Sequence, residues 1–408
     1  MSTSFSPSAW SARWPKFAVA GLAALAVVGF FAAGEPHHGA RPQMSLLFGS
    51  LFWACALIGI LMLTMITRLF DAGWAPVIRR AWEFSLPALP LVLLLGVVPL
   101  VASPEHRHAV WDWTVANDHA SHAKSWFLNE PFFIGRVVFY VIFFVGIAWL
   151  LRRGSFLQDR DRTPAHTHQL HAISAVGVPL AALVLTLLAF DCLMALTYHW
   201  FSTMYGVWFF ALGIRLALAL TVIVTHQLAN RGWLSGILNQ AHRHVLGCLM
   251  LAFTVFWAYI SFSQYFIIYN ANIPEETIWY NLRELNASTG EKNQWWWVSM
   301  FLVFGFFLLP FIALLFYRTK IIASRLVAVA WLILLGGFLD LQFNAIPRLP
   351  HYGPIDADPF LTPWLALDVL SVTGFGLLVA AVFLRSAGQA ECIPIHDPRI
   401  QESIDYHE

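Results

Sequence analysis

The sequence predicts an all-α integral membrane protein of about ten transmembrane helices. Three observations carry this reading. Of the 408 residues, 59% are hydrophobic and only 12% are charged, where a soluble globular chain carries about 25% charged residues. The mean hydropathy is +0.65. Ten segments hold the roughly 20 mostly apolar residues that a spanning helix needs. An ordinary cytosolic enzyme and a disordered chain are thereby excluded. Basic and acidic residues nearly cancel, 24 against 23, so there is no electrostatic footprint for nucleic acid. The 19 Trp and 34 Phe suit aromatic belts and lipid-facing helices.

The first span, Phe17–Ala33, follows Arg13 and Lys16 and ends in Ala32-Ala33-Gly34. Those flanks also fit a cleaved signal peptide. A retained span is preferred, because it keeps an even count with both termini on one side. The next four are Met44–Thr67, Phe84–Val101, Pro131–Leu151 and Ala172–Ala195. Then come Met204–Val224, Val245–Ile268, Trp295–Tyr317, Ile321–Phe343 and Thr362–Leu384. Sixteen of the 24 Lys and Arg fall on the side of the termini and six on the other, with Arg136 and Arg215 inside spans. The positive-inside rule then places both termini in the cytoplasm. Residues 1–16 become a cytoplasmic segment, 17–385 the membrane domain and 386–408 a cytoplasmic tail. Loops 102–130 and 269–293, rich in Trp, His and acids, become external.

Charges inside spans need a reason, since each costs roughly 2.5–3.5 kcal/mol at the bilayer centre. At 1.5 Å per residue, Asp191, Asp340, Asp368 and Arg136 all fall in the external half. They read either as interfacial solvated groups or as a polar pocket within a helix bundle. Arg215 falls near mid-membrane, with His226 eleven residues on along the same stripe. Leu218, Ala219 and Val222 between them are apolar. Arg215 reads as a structural partner of an aspartate or as a charge-transfer group. Of the 16 His, none lies deep in a span, which disfavours a membrane cytochrome b or a haem–copper oxidase. His37, His38 and His351 belong to external connections. The His119–His122 pair has no obvious third metal ligand. Cys55, Cys192, Cys248 and Cys392 form no C-x-x-C pair, so an iron–sulfur cluster or structural zinc is not expected.

Four stretches resemble a known family. Asp191–Gly206 (DCLMALTYHWFSTMYG) is similar to the D-W-x-M-S-L-x-P-H-W-[FY]-S-T-M-[FY]-G stretch of NrfD/polysulfide-reductase-type membrane subunits in alternative complex III. That complex is a bacterial quinol:cytochrome c oxidoreductase. Cys192 and Tyr198 depart from the pattern. Lys124–Arg136 resembles K-x-x-Y-L-N-x-P-F-F-x-x-R, and Phe262–Glu276 resembles F-S-Q-Y-x-x-x-x-x-A-N-I-P-E-E. The tail His396–Ile404 looks like the D-P-R-L-x-E-S-L ending of the ActF branch of that family. The resemblance implies a ten-helix subunit with its core in two four-helix bundles. It also implies no metal-held or covalent cofactor, quinone or menaquinone as substrate, and a bacterial inner membrane. The implied partners are a paralogous NrfD-like subunit, an iron–sulfur subunit, multihaem cytochrome c subunits and a terminal oxidase.

A chain of this kind holds quinol and accepts protons, while electrons pass to a partner's cofactor. On that reading Asp191 is the proton acceptor and His199 hydrogen-bonds a quinone oxygen. Tyr205, Trp208 and Arg136 complete the slot, while Arg215, His226, Asp340 and Asp368 form a proton path. A local Asp191–Arg136 pair with a solvated His199 is the bland alternative. Three other functions stay open: a proton-conducting subunit with no quinol site, a structural anchor, and a secondary transporter. Pro87, Pro90, Pro99 and Pro179 break spans, but not in the matching halves a transporter would show.

Overall fold

The computed structural model describes residues 10–34, 40–163, 165–286, 288–347 and 359–407. His37, His38 and His351, assigned above to connections, lie outside the described residues, as do the first nine residues. The protein is an all-α multi-pass membrane protein with ten helices long and apolar enough to span a bilayer. They are α1 Ser11–Ala32, α2 Arg41–Leu69, α3 Pro76–Ala102, α4 Glu130–Asp161, α5 Ala165–Thr197, α6 Tyr205–Asn230, α7 Gln240–Ala271, α8 Gln294–Leu315, α9 Ala323–Ala345 and α10 Trp364–Ala387. No strand forms among the described residues beyond one isolated bridge, Leu285 to Lys292.

Several helices run past the apolar windows. α4 reaches Asp161 and α7 begins at Gln240, because hydropathy marks only the hydrocarbon-spanning part of a helix. α3 differs most from expectation. It starts at Pro76 and bends between Ser85 and Ala88, so Arg79, Arg80 and Glu83 are helical and buried rather than in a connection. Asparagine caps fix three starts. Asn129 accepts from Phe132 N–H at 3.1 Å, Asn239 from His242 N–H at 3.1 Å, and Asn293 from Trp295 N–H at 3.0 Å. Each satisfies one of the N–H groups that a helix start leaves free.

Packing closes two four-helix rings. α2, α3, α4 and α5 form the first, each against the next, and α5 returns to α2. α6, α7, α8 and α9 form the second in the same way. The rings join where α6 lies against α2 and α5, and α10 with α1 covers the outer side of α2. α2 is therefore buried along nearly its whole length. Its approach to α6 is glycine-dependent, since a Cβ on Gly59 would lie 2.1 Å from the Gly213 carbonyl oxygen. Small residues at such crossings let membrane helices pack backbone to backbone.

Each long loop of the far face covers one ring. In 102–130, Trp111 donates to the Asp191 carbonyl at 3.0 Å, and Arg107 pairs with Glu130. In 269–293, the helix Pro274–Glu284 carries a buried Arg283 onto the end of α9. On the face of the termini, the tail is docked rather than free. Asp397 pairs with Arg79, and Ser403 Oγ accepts from Val77 N–H at 3.2 Å and donates to the Trp74 carbonyl at 3.1 Å. Asn239 donates to the Tyr406 carbonyl at 2.6 Å. Beside it, Glu83 takes Arg68 at 2.8 Å, Arg80 at 3.1 Å and the Ser155 hydroxyl at 2.9 Å, which ties α2, α3 and α4 together.

Gly59→Ala should destabilise the protein by about 1–3 kcal/mol through overpacking at the α2–α6 crossing. Gly135→Ala meets nothing within 4 Å and should be neutral or slightly stabilising. Thermal unfolding of the two variants in detergent checks the contrast.

Candidate functional site

In the first ring, Asp191 near the end of α5 is closed inside an ion pair. Arg136 of α4 donates through Nε and Nη2 at 2.7 Å each, and Tyr140 one turn further donates at 2.6 Å. The remaining Arg136 amine reaches the Phe127 carbonyl at 2.9 Å, and its guanidinium lies 3.9 Å and 4.3 Å from the Phe127 and Phe132 rings. Asp191 is fully buried. His199 is elsewhere in character. Its side chain is 41% exposed and sits 3.4 Å from Asp118, which also accepts from the Tyr198 hydroxyl at 2.6 Å. Burial raises the Asp118 pKa, but the bonds from Tyr198 and Ser121 and the nearby His199 outweigh it and hold the carboxyl below its ordinary value.

The five residues expected to share one slot therefore divide. Arg136 and Asp191 belong to the first ring, His199 to the exposed loop, and Tyr205 and Trp208 to the second ring. The reason is that Thr197–Met204 is the crossover between rings, so residues adjacent in sequence feed different bundles. An aromatic cavity of about 350 Å³ does lie at the far face beside this crossover, lined by Lys124, Phe190, Met194, Tyr198, Trp200 and Phe201 among others. Burial lowers the Lys124 pKa, partly offset by Asp118. The ammonium is spent on the Tyr198 carbonyl at 2.5 Å.

Asp368 is likewise satisfied. Arg41 of α2 donates at 2.9 Å and 3.4 Å, Ser45 at 2.6 Å and Gln342 of α9 at 2.8 Å. It joins α10 to α2 and α9.

Asp340 is different. It lies on α9 inside the second ring, 2% exposed. The indoles of Trp208 on α6 and Trp257 on α7 donate to its Oδ2 at 3.0 Å and 2.9 Å, and Asn344 donates to its carbonyl at 2.8 Å and to Oδ1 at 3.3 Å. Among the described residues, no Lys, Arg or His nitrogen reaches it within 4 Å. Arg215, fully buried on α6, donates instead to the Phe306 carbonyl at 2.8 Å. Its guanidinium packs 3.7 Å from the Phe306 ring and 5.0 Å from Trp257, and its Nε and Nη1 have no acceptor. So Trp257 contacts both charged groups.

The Phe306 carbonyl is available for a physical reason. Pro310, four residues on, has no N–H to complete an α-helical bond to it, and Leu302–Leu308 is π-helical. Membrane helices tolerate such breaks where a neighbouring helix satisfies the freed group, and single π turns recur at functional sites. Pro310 in an apolar span was the available sequence signal for this feature. Trp257, Tyr140 and Arg41 gave none, since an aromatic or basic residue in or beside a span does not announce its partner.

Above Asp340, the Tyr205 hydroxyl is buried without a partner, its ring 4.9 Å from Trp208 and 5.8 Å from Trp200. Trp200 stacks on Trp279 at 4.7 Å, and Arg283 lies 3.4 Å above Trp279. Arg283 donates to the Phe343 and Asn344 carbonyls at 2.7 Å and 3.1 Å, capping the end of α9. Burial pushes it down to about 9, against the raising influence of Tyr205 and Tyr280. Below Arg215, the Leu218, Ala219 and Val222 side chains are buried. His226 is half-buried, 3.0 Å from the Asn230 amide, and shares a cavity of about 30 Å³ with Arg243. Among the described residues, no three His, Cys, Asp or Glu side chains gather as a metal site requires.

No protein-family model matches the sequence, and no curated protein matches it.

Arg136→Leu leaves Asp191 buried without its cation and should cost about 3–5 kcal/mol. His199→Gln, at an exposed position, should stay within about 0.5 kcal/mol of wild type. Melting of the purified variants tests both.

Proposed function

We propose that this chain is the proton-handling membrane subunit of a quinol:cytochrome c oxidoreductase of the alternative complex III kind, with Asp340 as its proton-exchanging group. One observation carries the reading: of the four aspartates buried among the described residues, Asp191, Asp340, Asp368 and Asp397, Asp340 alone is held by neutral donors. A proton delivered to Asp191 or Asp368 must break a charge-assisted pair, the stronger class of hydrogen bond. A proton delivered to Asp340 displaces only indole and amide donors, while Arg215 in the same ring supplies the positive field. Tyr205 and Trp200 offer the approach from the far face, and His226 with Arg243 the approach from the opposite face. The four motif resemblances supply the redox context. Quinol oxidation releases two protons and two electrons, and the electrons would pass to cofactors of the iron–sulfur and multihaem partners.

Quinol binding by this chain is a second reading, favoured by the aromatic cavity beside Trp200. There Tyr198, Trp200 and Phe201 would meet the ring, with Asp191 positioning the wall through Arg136 and Phe127. The basic asymmetry of the sequence supports a topology with both termini cytoplasmic, and the resemblance implies a bacterial inner membrane.

In the intact complex, Asp340→Asn should leave assembly and bound haem unchanged while protons moved per electron fall steeply. An unchanged ratio would leave the chain an anchor. Met194→Trp, which fills the aromatic cavity, should leave quinol oxidation intact unless the second reading holds. A Val115→Cys variant should label only from the periplasmic side; labelling from the cytoplasm alone would invert the topology.

A further inference from the structure

Another opening lies in the half of the molecule nearer the termini. A cleft of about 210 Å³ runs between α1, α6 and α10, with α2 and α3 as its floor. Leu57, Trp82 and Phe383 make the buried inner wall, and Phe17, Val224 and Ala380 the half-buried rim. Gln227 stands exposed at its edge, and the polar groups of the inner wall are paired. Trp82 Nε1 donates to Thr221 at 2.8 Å, Thr221 donates to the Ala217 carbonyl at 2.7 Å, and Ser85 donates to the Trp82 carbonyl at 2.7 Å. The inner wall of the cleft is therefore almost wholly hydrocarbon.

Its mouth is basic. Trp10 lines the cleft, and the Arg231 guanidinium lies 4.4 Å above the Trp10 ring. Arg385 lies 5.1 Å above Trp14, one helical turn on. Arg13 and Lys16 project from the same turn, exposed. Among the described residues, none of these four cations has an acidic partner within 4 Å. The described segment from Trp10 to Gly34 contains no Asp or Glu.

We propose that this cleft is a binding site for an anionic phospholipid of the bilayer, one acyl chain in the cleft and the phosphate on Arg231, Arg385, Arg13 and Lys16. Four uncompensated cations at the end of an apolar slot match a ligand that is anionic at one end and hydrocarbon at the other. Basic pockets at helix ends recognise lipid head groups in this way. The indoles of Trp10 and Trp14 hold the two guanidinium groups over the interface, where Trp naturally sits. Occupation would bridge α1 to α6, two helices that otherwise barely touch.

The test uses the full-length protein in the assembly from which it is extracted, stripped of lipid and offered phosphatidylglycerol or phosphatidylcholine with identical chains. Native mass spectrometry reads retention. Wild type should retain one phosphatidylglycerol per chain in preference to phosphatidylcholine. Arg231→Gln with Arg385→Gln should weaken phosphatidylglycerol binding roughly 25-fold, about fivefold per charge removed, and leave phosphatidylcholine binding unchanged. Ala380→Trp, which fills the cleft, should abolish both. Should the double variant fail to accumulate, Arg13→Gln with Lys16→Gln at exposed positions reads the same loss. Equal affinity for the two lipids, full retention in the charge variants, or no effect of Ala380→Trp overturns the proposal. So does cross-linking from position 380 to a protein segment.

Discussion

A charge in hydrocarbon has to be answered inside the protein, and that constraint organises this fold. Buried ion pairs stand where helices meet, apart from Arg79 with Asp397, which fastens the tail to α3. Arg136 with Asp191 closes α4 on α5, and Arg41 with Asp368 closes α2 on α10. Glu83, holding Arg68 and Arg80, closes α2 on α3. Between apolar surfaces in lipid there is little hydrophobic drive for association. Packing and paired polar groups therefore specify which helix lies beside which. A misregistered helix would leave a guanidinium or carboxylate unanswered, a far larger penalty than a lost van der Waals contact.

Against that background, the second ring has a different arrangement. Asp340 and Arg215 lie in one bundle, share the Trp257 ring as neighbour, and yet do not pair. Arg215 is committed to a main-chain oxygen that Pro310 helps to release. Asp340 is committed to two indoles from different helices. A structural ion pair would have been the lower-energy use of the same two residues. On the proposed reading, holding them apart would let the carboxylate change its protonation without breaking an ion pair, as Asp191 and Asp368 could not.

How much of this was legible in the sequence depends on the physics that encodes it. Spans were legible, because twenty apolar residues in a row have no soluble alternative. Partners were not legible. Asp191, His199, Tyr205 and Trp208 sit within eighteen residues and read as one slot, but the crossover at Thr197–Met204 sends them to three environments. Nothing local says that Trp257, eighty-three residues from Asp340, will donate to it. The start of α3 was hidden for a related reason. Arg79, Arg80 and Glu83 lower the hydropathy of a segment whose charges cancel only in three dimensions.

α6 shows how one helix serves both needs. Trp208, Arg215, Val222 and His226 recur at seven, seven and four residues, so all four fall on one narrow stripe of a 3.6-residue helix. Gly213 sits off that stripe, against the Cys55 carbonyl of α2. The inter-ring contact and the polar stripe thus use different faces and do not compete. Along the stripe, the eleven residues from Arg215 to His226 span about 16 Å, and the side chains between them on that face are apolar and buried. If the chain handles protons as proposed, this interval has a purpose. A continuous polar stripe would let protons leak down their gradient without turnover. An apolar interval between a far-face carboxylate and an opposite-face histidine separates two half-paths, so passage requires the Arg215 region to change its contacts. The Phe306 carbonyl, held in a π-helical turn beside a proline, is the contact best placed to give way, because the helix around it has already surrendered the regular bond that would hold it fixed.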